Sequence, residues 1–278
     1  MSDTRIPLAG VIGNPIEHSL SPRLHGHWLR TMGLAGHYIP MRVEADDLET
    51  VIRTLPKAGF VGLNVTIPHK EAVLKLADIV TDRAALIGAA NTLIFRDDGK
   101  IHADNTDGYG FTQNLRQSAP DWAPETGPAA VFGAGGAARA ILASLIELGV
   151  PEIRLSNRTR ARADALRAEF GARIVVYDWV QAGNMLDDAV TVVNTSSLGM
   201  TGKPDFRVPL DGLMPGAVVN DLVYSPLKTD FLQQAEDAGC QVVDGLGMLL
   251  HQAVPGFERW FGTRPVVDDA LRHAVLGV

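Results

Sequence analysis

Cysteine is almost absent from this chain, since Cys240 is the only one among 278 residues. No intrachain disulfide can form, and we expect Cys240, at the start of a predicted strand, to be a buried structural thiol. Runs of 18 consecutive apolar residues are also absent, so no transmembrane helix is predicted. The N-terminus lacks the basic segment and long apolar run of a secretory signal. We therefore predict a cytoplasmic protein without a membrane partner.

Positive charge is scarce as well. The chain has 25 Lys and Arg against 32 Asp and Glu, a formal net charge of −7, whereas a nucleic-acid-binding protein needs a basic face. The only closely spaced histidines, His25 and His27, are two residues apart and do not share a helix face. We expect no nucleic-acid partner and no metal. The residues leave open whether the protein is a monomer or a homodimer.

What the chain does contain is a regular alternation of apolar segments and helical patterns, over a length that suits two domains. A hairpin is predicted around the turn at residues 97–99. The other elements predicted in the first part are strands at 8–13, 37–43 and 60–66 and helices from Pro22, over 46–55 and from about His69. This part is therefore predicted to be α/β with some antiparallel pairing.

After a proline-rich loop at residues 117–128, the alternation becomes more regular. Two final helical stretches, 248–261 and 267–276, follow it. Six short strands are predicted before them, at 129–132, 152–156, 173–176, 191–194, 218–221 and 241–243. Strands separated mostly by helices are typical of a doubly wound parallel sheet. The sequence therefore predicts an α/β protein of two domains, the second of the Rossmann type.

A glycine-rich segment directly follows the first strand of the second part. Residues 133–138 have the pattern G-x-G-x-x-A and open a helix. Gly133 allows a tight turn, Gly135 lets the backbone approach a pyrophosphate, and Ala138 permits close packing of the helix on the strand. The pattern predicts a dinucleotide site, the alternative being a turn that serves packing alone.

The end of the next strand distinguishes between two cofactors. A site for NAD usually has an acidic residue there, which binds the ribose 2′-hydroxyl. This chain has Asn157, Arg158, Thr159 and Arg162 instead. We predict that Arg158 and Arg162, four residues apart at a helix start, share a face and bind the 2′-phosphate of NADP. A solvated basic first turn is the alternative.

Two polar segments of the first part are candidates for a substrate site. In an extended stretch, Ser19 and Ser21 would point to the same side and could bind a carboxylate; Ser21 followed by Pro22 is also typical of a helix start. Further on, Thr66 lies at the end of a predicted strand and Lys70 opens the predicted helix that follows. By itself, a lysine there is more typical of a solvated surface. Asn91 and the motif at residues 104–108 are also polar, which indicates a functional loop or an Asx turn.

Several motifs occur in a fixed order between Ser19 and Gln252: S-x-S-P, N-V-T-x-P-x-K, A-N-T-L, D-N-T-D-G, G-A-G-G-A, N-R-T and G-x-x-M-L-x-x-Q. Together they resemble the shikimate dehydrogenase family. The resemblance implies a substrate-binding domain formed by residues 1–106 with 245–278, and an NADP-binding Rossmann domain formed by 107–244. A cleft between the domains would hold both ligands.

The resemblance also implies roles for individual residues. Lys70 and Asp107 would be catalytic. The substrate shikimate or 3-dehydroshikimate would be bound by Ser19, Ser21, Thr66, Lys70, Asn91, Asp107, Tyr224 and Gln252. The cofactor NADP would be bound by Gly133, Ala134, Gly135, Gly136, Ala137, Asn157, Arg158, Thr159, Arg162, Leu222, Gly245 and Met248. Two departures are His69, where many members have an aromatic residue, and the segment at 194–197, which could tune affinity.

The activity implied is the NADPH-dependent reduction of 3-dehydroshikimate to shikimate, in aromatic amino-acid biosynthesis. Lys70, as an ammonium, would donate the proton to the developing alkoxide, and Asp107 would orient it. The nearest alternative is a quinate/shikimate dehydrogenase, which shares most motifs but often uses NAD. A methylene-tetrahydrofolate dehydrogenase fits the serine and Asp-Gly motifs poorly. A non-catalytic NADP-sensing protein would be expected to lack the lysine or its acid.

Overall fold

The computed structural model describes residues 6–277. The first predicted domain starts at residue 1 and ends at 278, so its first five residues and its last lie outside the described residues. The chain divides into two compact units, one formed by Met1–Thr106 with Leu250–Val278 and the other by Asp107–Leu249. Within residues 6–277, no helix has the length and apolar content needed to cross a membrane.

The first unit is built on a six-stranded mixed sheet with the strand order β2-β1-β3-β5-β6-β4. The strands are β1 (Leu8–Gly13), β2 (His37–Arg42), β3 (Phe60–Val65), β4 (Ile79–Val80), β5 (Thr92–Phe95) and β6 (Ile101–Asp104). The helices between them are α1 (Ser21–Thr31), α2 (Leu48–Thr54) and α3 (Asp82–Ile87). β1 pairs in parallel with β2 and β3, whereas β5 and β6 form the predicted antiparallel hairpin. The prediction of an α/β unit with antiparallel character is confirmed.

The C-terminal helices complete the first unit. Helix α8 (Leu246–Phe261) contains the boundary between the units, and α9 (Asp269–Leu276) follows it. The Trp260 indole donates to the Leu93 carbonyl of β5 at 3.1 Å, and the Trp28 indole of α1 donates to the Val266 carbonyl at 2.9 Å. These bonds attach the C-terminal segment to β5 and to α1, since an indole N–H that leaves water needs an acceptor.

The second unit is built on a parallel sheet with the strand order β12-β11-β10-β7-β8-β9. Its strands are β7 (Ala129–Phe132), β8 (Ile153–Ser156), β9 (Ile174–Tyr177), β10 (Thr191–Asn194), β11 (Val218–Asp221) and β12 (Gln241–Val243). Its helices are α4 (Asp107–Ser118), α5 (Gly136–Glu147), α6 (Arg160–Phe170) and α7 (Asp230–Asp237). Hydrophobic clusters cover the sheet on both faces. The predicted doubly wound Rossmann fold is confirmed, with its switch point between β7 and β10.

The helix predicted from His69 is wrong. Turns follow β3, and the helical segment is a short 3-10 helix at Ala72–Lys75. The Lys70 carbonyl accepts from the Ala90 N–H at 2.8 Å, and the His69 side chain bonds the Val43 carbonyl at 2.8 Å. Since these long-range bonds hold the segment as a turn, Lys70 lies in a loop and does not open a helix.

Candidate active site

The turn after β7 has the geometry that its glycines predict. Gly133 has φ of 110°, a left-handed conformation that side chains with a Cβ rarely adopt. A Cβ at Gly135 would meet nothing within 4 Å, so the backbone there is open to a ligand. Ala138 is fully buried in the cluster formed by α5 and the sheet. The Asn157 Oδ1 accepts from the Ala134 N–H at 3.1 Å and so joins the end of β8 to this turn. The segment fits a dinucleotide pyrophosphate.

Thr195 supports the same turn and was not predicted as a site residue. Its hydroxyl donates to the carbonyls of Phe132 and Gly133 at 2.9 and 3.2 Å. A Cβ on Gly133 would lie 2.7 Å from that hydroxyl. The departure noted in the sequence at residues 194–197 therefore lies directly against the start of the glycine-rich turn.

The arginines after β8 are arranged differently from the prediction. Helix α6 begins at Arg160 with Thr159 as its N-cap residue, so Arg158 precedes the helix. The prediction that Arg158 and Arg162 share a helix face is therefore wrong. Arg160 pairs with Asp178 at 2.7 Å. Arg158 and Arg162 are exposed, and neither forms an ion pair within residues 6–277. Both guanidinium groups are accordingly available for an anion.

In the first unit, buried polar side chains form a network around Asn91. The Asn91 Nδ2 donates to the Thr106 hydroxyl at 3.0 Å and to the Gln252 Oε1 at 3.1 Å. The Thr106 hydroxyl lies 2.8 Å from the Gln252 carbonyl, to which it donates. Asn91 and Gln252 are 161 positions apart in the chain, and the fold brings them together. Thr106 was missed, although it lies within the D-N-T-D-G motif.

The network continues toward β2 and β3. The Tyr38 hydroxyl donates to the Asn64 Oδ1 at 2.7 Å, and the Asn64 Nδ2 donates to the Asn91 carbonyl at 3.2 Å. The His25 ring stacks on Tyr38 with 3.9 Å between centroids. Burial lowers the pKa of His25 to about 3, so it is neutral at physiological pH. Thr66, which follows β3, is half-buried, and its N–H donates to the Ile12 carbonyl at 3.0 Å.

The serine pair is also arranged differently from the prediction. Leu20 has helical dihedral angles, and Ser21 is the first residue of α1, with Leu20 as its N-cap residue. The extended stretch and the N-cap role of Ser21 are therefore wrong. A turn brings the two residues together instead, because the Ser21 N–H donates to the Ser19 Oγ at 3.3 Å. Ser21 is buried and Ser19 is half-buried.

The two predicted catalytic residues have different settings. Lys70 is half-buried in the turn after β3, in the first unit. Asp107 is buried at the first position of α4, in the second unit. The chain at Lys70 is fixed by the bond from the His69 side chain to the Val43 carbonyl and by the bond from the Ala90 N–H to the Lys70 carbonyl. That Lys70 and Asp107 lie near a substrate stays a prediction.

The remaining predicted residues lie after β11 and β12. The Leu222 N–H donates to the Asn194 carbonyl at 3.0 Å. A Cβ at Gly245 would lie 2.2 Å from the Leu222 carbonyl oxygen, so this close approach requires glycine. Met248 packs on the hydrophobic cluster of α4 and α5. Tyr224 is partly exposed, and burial of the rest of its ring raises the pKa of its hydroxyl.

Asp221, at the end of β11, was also missed. It is fully buried, and burial raises its pKa to about 6 despite three hydrogen bonds that favour the charged form. Within residues 6–277 there is no group of three or more His, Cys, Asp or Glu side chains arranged to hold a metal ion.

Comparisons with known proteins bear on the whole chain. Residues 11–93 match the family model of the shikimate dehydrogenase substrate binding domain, and residues 245–275 match that of the shikimate 5′-dehydrogenase C-terminal domain. A shikimate dehydrogenase (NADP(+)) of Cereibacter sphaeroides is 74% identical over 272 residues, which are 98% of each chain.

Solved structures agree with these matches. A shikimate 5-dehydrogenase of Thermus thermophilus in complex with NADP(H) and shikimate has a TM-score of 0.85 and 35% identity, covering 98% of this chain and 99% of that one. A quinate dehydrogenase of Corynebacterium glutamicum in complex with NAD has a TM-score of 0.90 and 30% identity, covering 98% and 99%.

The first prediction concerns Thr106. Replacing Thr106 by valine keeps its shape but leaves the Gln252 carbonyl and one Asn91 amide hydrogen without their buried partner. We expect the free energy of unfolding to fall by about 1–3 kcal/mol, measured by urea denaturation. Thr106→Ser keeps the hydroxyl and should lose less. A loss in Thr106→Val that is no larger than the loss in Thr106→Ser would contradict the expectation that the hydrogen bonds of the hydroxyl outweigh packing of the methyl group.

Proposed function

The chain belongs to the shikimate dehydrogenase family, and on that basis we propose how its own residues carry out the reaction. The protein is an NADP-dependent oxidoreductase that reversibly reduces 3-dehydroshikimate to shikimate, in aromatic amino-acid biosynthesis. The quinate dehydrogenase likeness extends to the fold, but this chain has Arg158 after β8 where an NAD site has an acidic residue. The observation that supports the residue assignment best is the buried network of Asn91, Thr106 and Gln252.

That network suggests how a substrate hydroxyl is bound. The Asn91 Nδ2 donates directly to the Gln252 Oε1 at 3.1 Å. A hydroxyl can both accept and donate, so a substrate hydroxyl inserted between them would accept from Asn91 and donate to Gln252. No buried polar group would lose its partner. Thr66 would bind a neighbouring hydroxyl, and Tyr224 would contact the ring.

The substrate carboxylate would be bound by Ser19 and Ser21. The turn before α1 brings the Ser19 hydroxyl next to the Ser21 N–H. Two neutral donors orient a carboxylate but do not neutralise its charge as an arginine would. Because the acceptor is charged, each such hydrogen bond contributes about 1.5–3 kcal/mol. Binding of this strength is compatible with release of the product.

Lys70 and Asp107 would act at the reacting oxygen. When bound, NADPH supplies the hydride. Lys70, as an ammonium, would donate a proton to the oxygen as negative charge develops on it and would take the proton back in the oxidative direction. Asp107 would accept hydrogen bonds from the lysine and from a substrate hydroxyl. This role requires a proton donor whose position is fixed. The hydrogen bonds that hold the turn around Lys70 support that requirement.

The cofactor would lie along the ends of the parallel strands, on Gly133–Ala137, Leu222, Gly245 and Met248. Asn157 would hold the glycine-rich turn through the Ala134 N–H. Arg158, Thr159 and Arg162 would bind the 2′-phosphate, since the two exposed guanidinium groups make no ion pair in the described chain and the start of α6 favours an anion.

The first experiment replaces Lys70 by alanine. Because the proton donor is lost, kcat should fall by about 10²–10⁴-fold, while KM for shikimate changes little. Steady-state absorbance of the nicotinamide measures both. Lys75→Ala, an exposed lysine of the same segment, is the control and should keep normal kinetics. Near-normal turnover of Lys70→Ala would remove Lys70 from the mechanism.

The second experiment replaces Arg158 by alanine. Loss of a charge-assisted bond should raise KM for NADP⁺ by roughly ten- to a hundredfold, whereas kinetics with NAD⁺ should stay the same. Arg167→Ala, an exposed arginine farther along α6, is the matched control. The assay is run with shikimate and with quinate. An equal effect on both cofactors would show that Arg158 does not bind the 2′-phosphate.

The compartment is proposed to be the reducing cytoplasm. The single cysteine, Cys240, is buried, and its thiol is free. Burial raises the pKa of this thiol, which keeps it protonated and unreactive. After cell fractionation, the activity should accompany cytosolic markers. Recovery with a membrane or periplasmic fraction would contradict the proposal.

A further inference from the structure

Two buried polar residues end two adjacent strands of the second unit. Asn194 ends β10 and Asp221 ends β11, and the two are paired in the strand register. Both are fully buried. β10 also pairs with β7, where Asn194 lies beside Phe132, the residue that precedes the glycine-rich turn. The pair therefore lies beside the segments that we assign to the cofactor.

The Asp221 carboxylate holds three groups. Its Oδ1 accepts from the Asn194 Nδ2 and from the Val223 N–H, both at 3.0 Å. Its Oδ2 accepts from the Thr229 hydroxyl at 2.7 Å. Thr229 is the N-cap residue of α7 and accepts from the Leu232 N–H. One side chain thus fixes both ends of the segment 222–229, which contains Leu222 and Tyr224.

The charge on Asp221 also determines how the Asn194 amide is oriented. An ionised carboxylate can only accept hydrogen bonds, so Asn194 turns its Nδ2 toward it. The Asn194 Oδ1 then accepts from the Ser196 N–H and hydroxyl, at 3.0 and 2.7 Å. Between them lies Thr195, whose hydroxyl bonds the Phe132 and Gly133 carbonyls. The carboxylate is thereby connected to the glycine-rich turn.

This arrangement costs stability at neutral pH. Burial raises the pKa of Asp221 to about 6, and no charged neighbour contributes to the shift. The charged residues on the adjoining elements are Lys228 before α7, Asp230, Glu236 and Asp237 in α7, and Asp244 after β12. Because the folded pKa is raised, the free energy of unfolding from this group increases as pH falls through about 6. An acid that disfavours folding when ionised is more typical of a functional site than of a structural one.

We propose that Asp221 is a positioning residue for the cofactor: its carboxylate holds the turn at 194–196 and the segment 222–229 in the arrangement that binds NADP. The inference rests on the proposed function in that it takes Gly133–Ala137 and Leu222 as cofactor contacts. Asp221 itself acts through Asn194, Thr229 and the backbone.

The test is Asp221→Asn, an isosteric change that removes the charge and one acceptor. Binding of NADP⁺ is measured by calorimetry from about pH 8 to about pH 5. At the higher pH, the dissociation constant should rise about tenfold, as for loss of one hydrogen bond to a charged group. Toward the lower pH, the ratio of variant to wild type should approach one, because wild-type Asp221 becomes protonated. Titration of the cofactor phosphate cancels in this ratio.

Controls separate positioning from general damage. Asp237→Asn, an exposed acid at the far end of α7, should bind NADP⁺ like the wild type. A merely structural role of Asp221 would lower kcat by reducing the folded fraction and leave KM unchanged; our proposal expects KM for NADP⁺ to rise with kcat largely kept. A ratio that stays constant with pH, or normal binding by Asp221→Asn, overturns it.

A second pair of variants covers the case in which Asp221→Asn does not fold. Thr229→Val removes the hydroxyl that donates to Oδ2, and we expect a smaller loss of NADP⁺ affinity. Thr229→Ser keeps that hydroxyl and should restore the affinity. Equal binding by these two variants would contradict the proposal. If the wild type itself failed to bind NADP⁺, the proposed function would fail instead, independently of Asp221.

Discussion

The requirement that buried polar groups be hydrogen-bonded organises both units of this protein. An unpaired buried donor or acceptor costs roughly 1–3 kcal/mol, so the buried Asn91 has its amide and carbonyl groups matched by Thr106, Gln252 and Asn64. These partners come from β3, the end of β6 and helix α8. The same bonds that attach α8 to the first sheet therefore also fix the positions of the amides that we assign to the substrate.

The second unit meets the same requirement at the ends of its parallel strands. The backbone groups just beyond a strand end have no partner in the sheet ladder. Polar side chains at these ends bond those groups and one another. Asn157 bonds the Ala134 N–H, Thr195 bonds the Gly133 carbonyl, and Asn194 bonds Asp221. Loops held in this way lose little conformational freedom when a ligand binds, which lowers the entropic cost of binding.

The sequence was sufficient to predict every strand except the two-residue β4, because a short apolar run between turn residues carries its own signal. β7, β10, β11 and β12 match the predicted bounds. Local patterns failed where long-range bonds decide the backbone. The Ala90 N–H donates to the Lys70 carbonyl. In a helix from His69, that carbonyl would instead accept from an N–H one turn later. Thr106 and Asp221 were missed for a related reason, since their partners are distant in the chain or known only once the strands are paired.

The overall charge of the protein has the same sign as the charges of the ligands that we propose. The protein carries a net charge of −7, yet both proposed ligands are anions. A few local donors are sufficient for such ligands: two hydroxyls for a carboxylate, and two guanidinium groups with a helix start for a phosphate. Asp221 is buried and bonded on both oxygens, so its negative charge is used within the scaffold, on Asn194, Thr229 and the backbone. In our proposal, the Asp221 carboxylate positions the cofactor-binding segments, and the anionic groups of the two ligands are bound by hydroxyls, backbone amides and arginines.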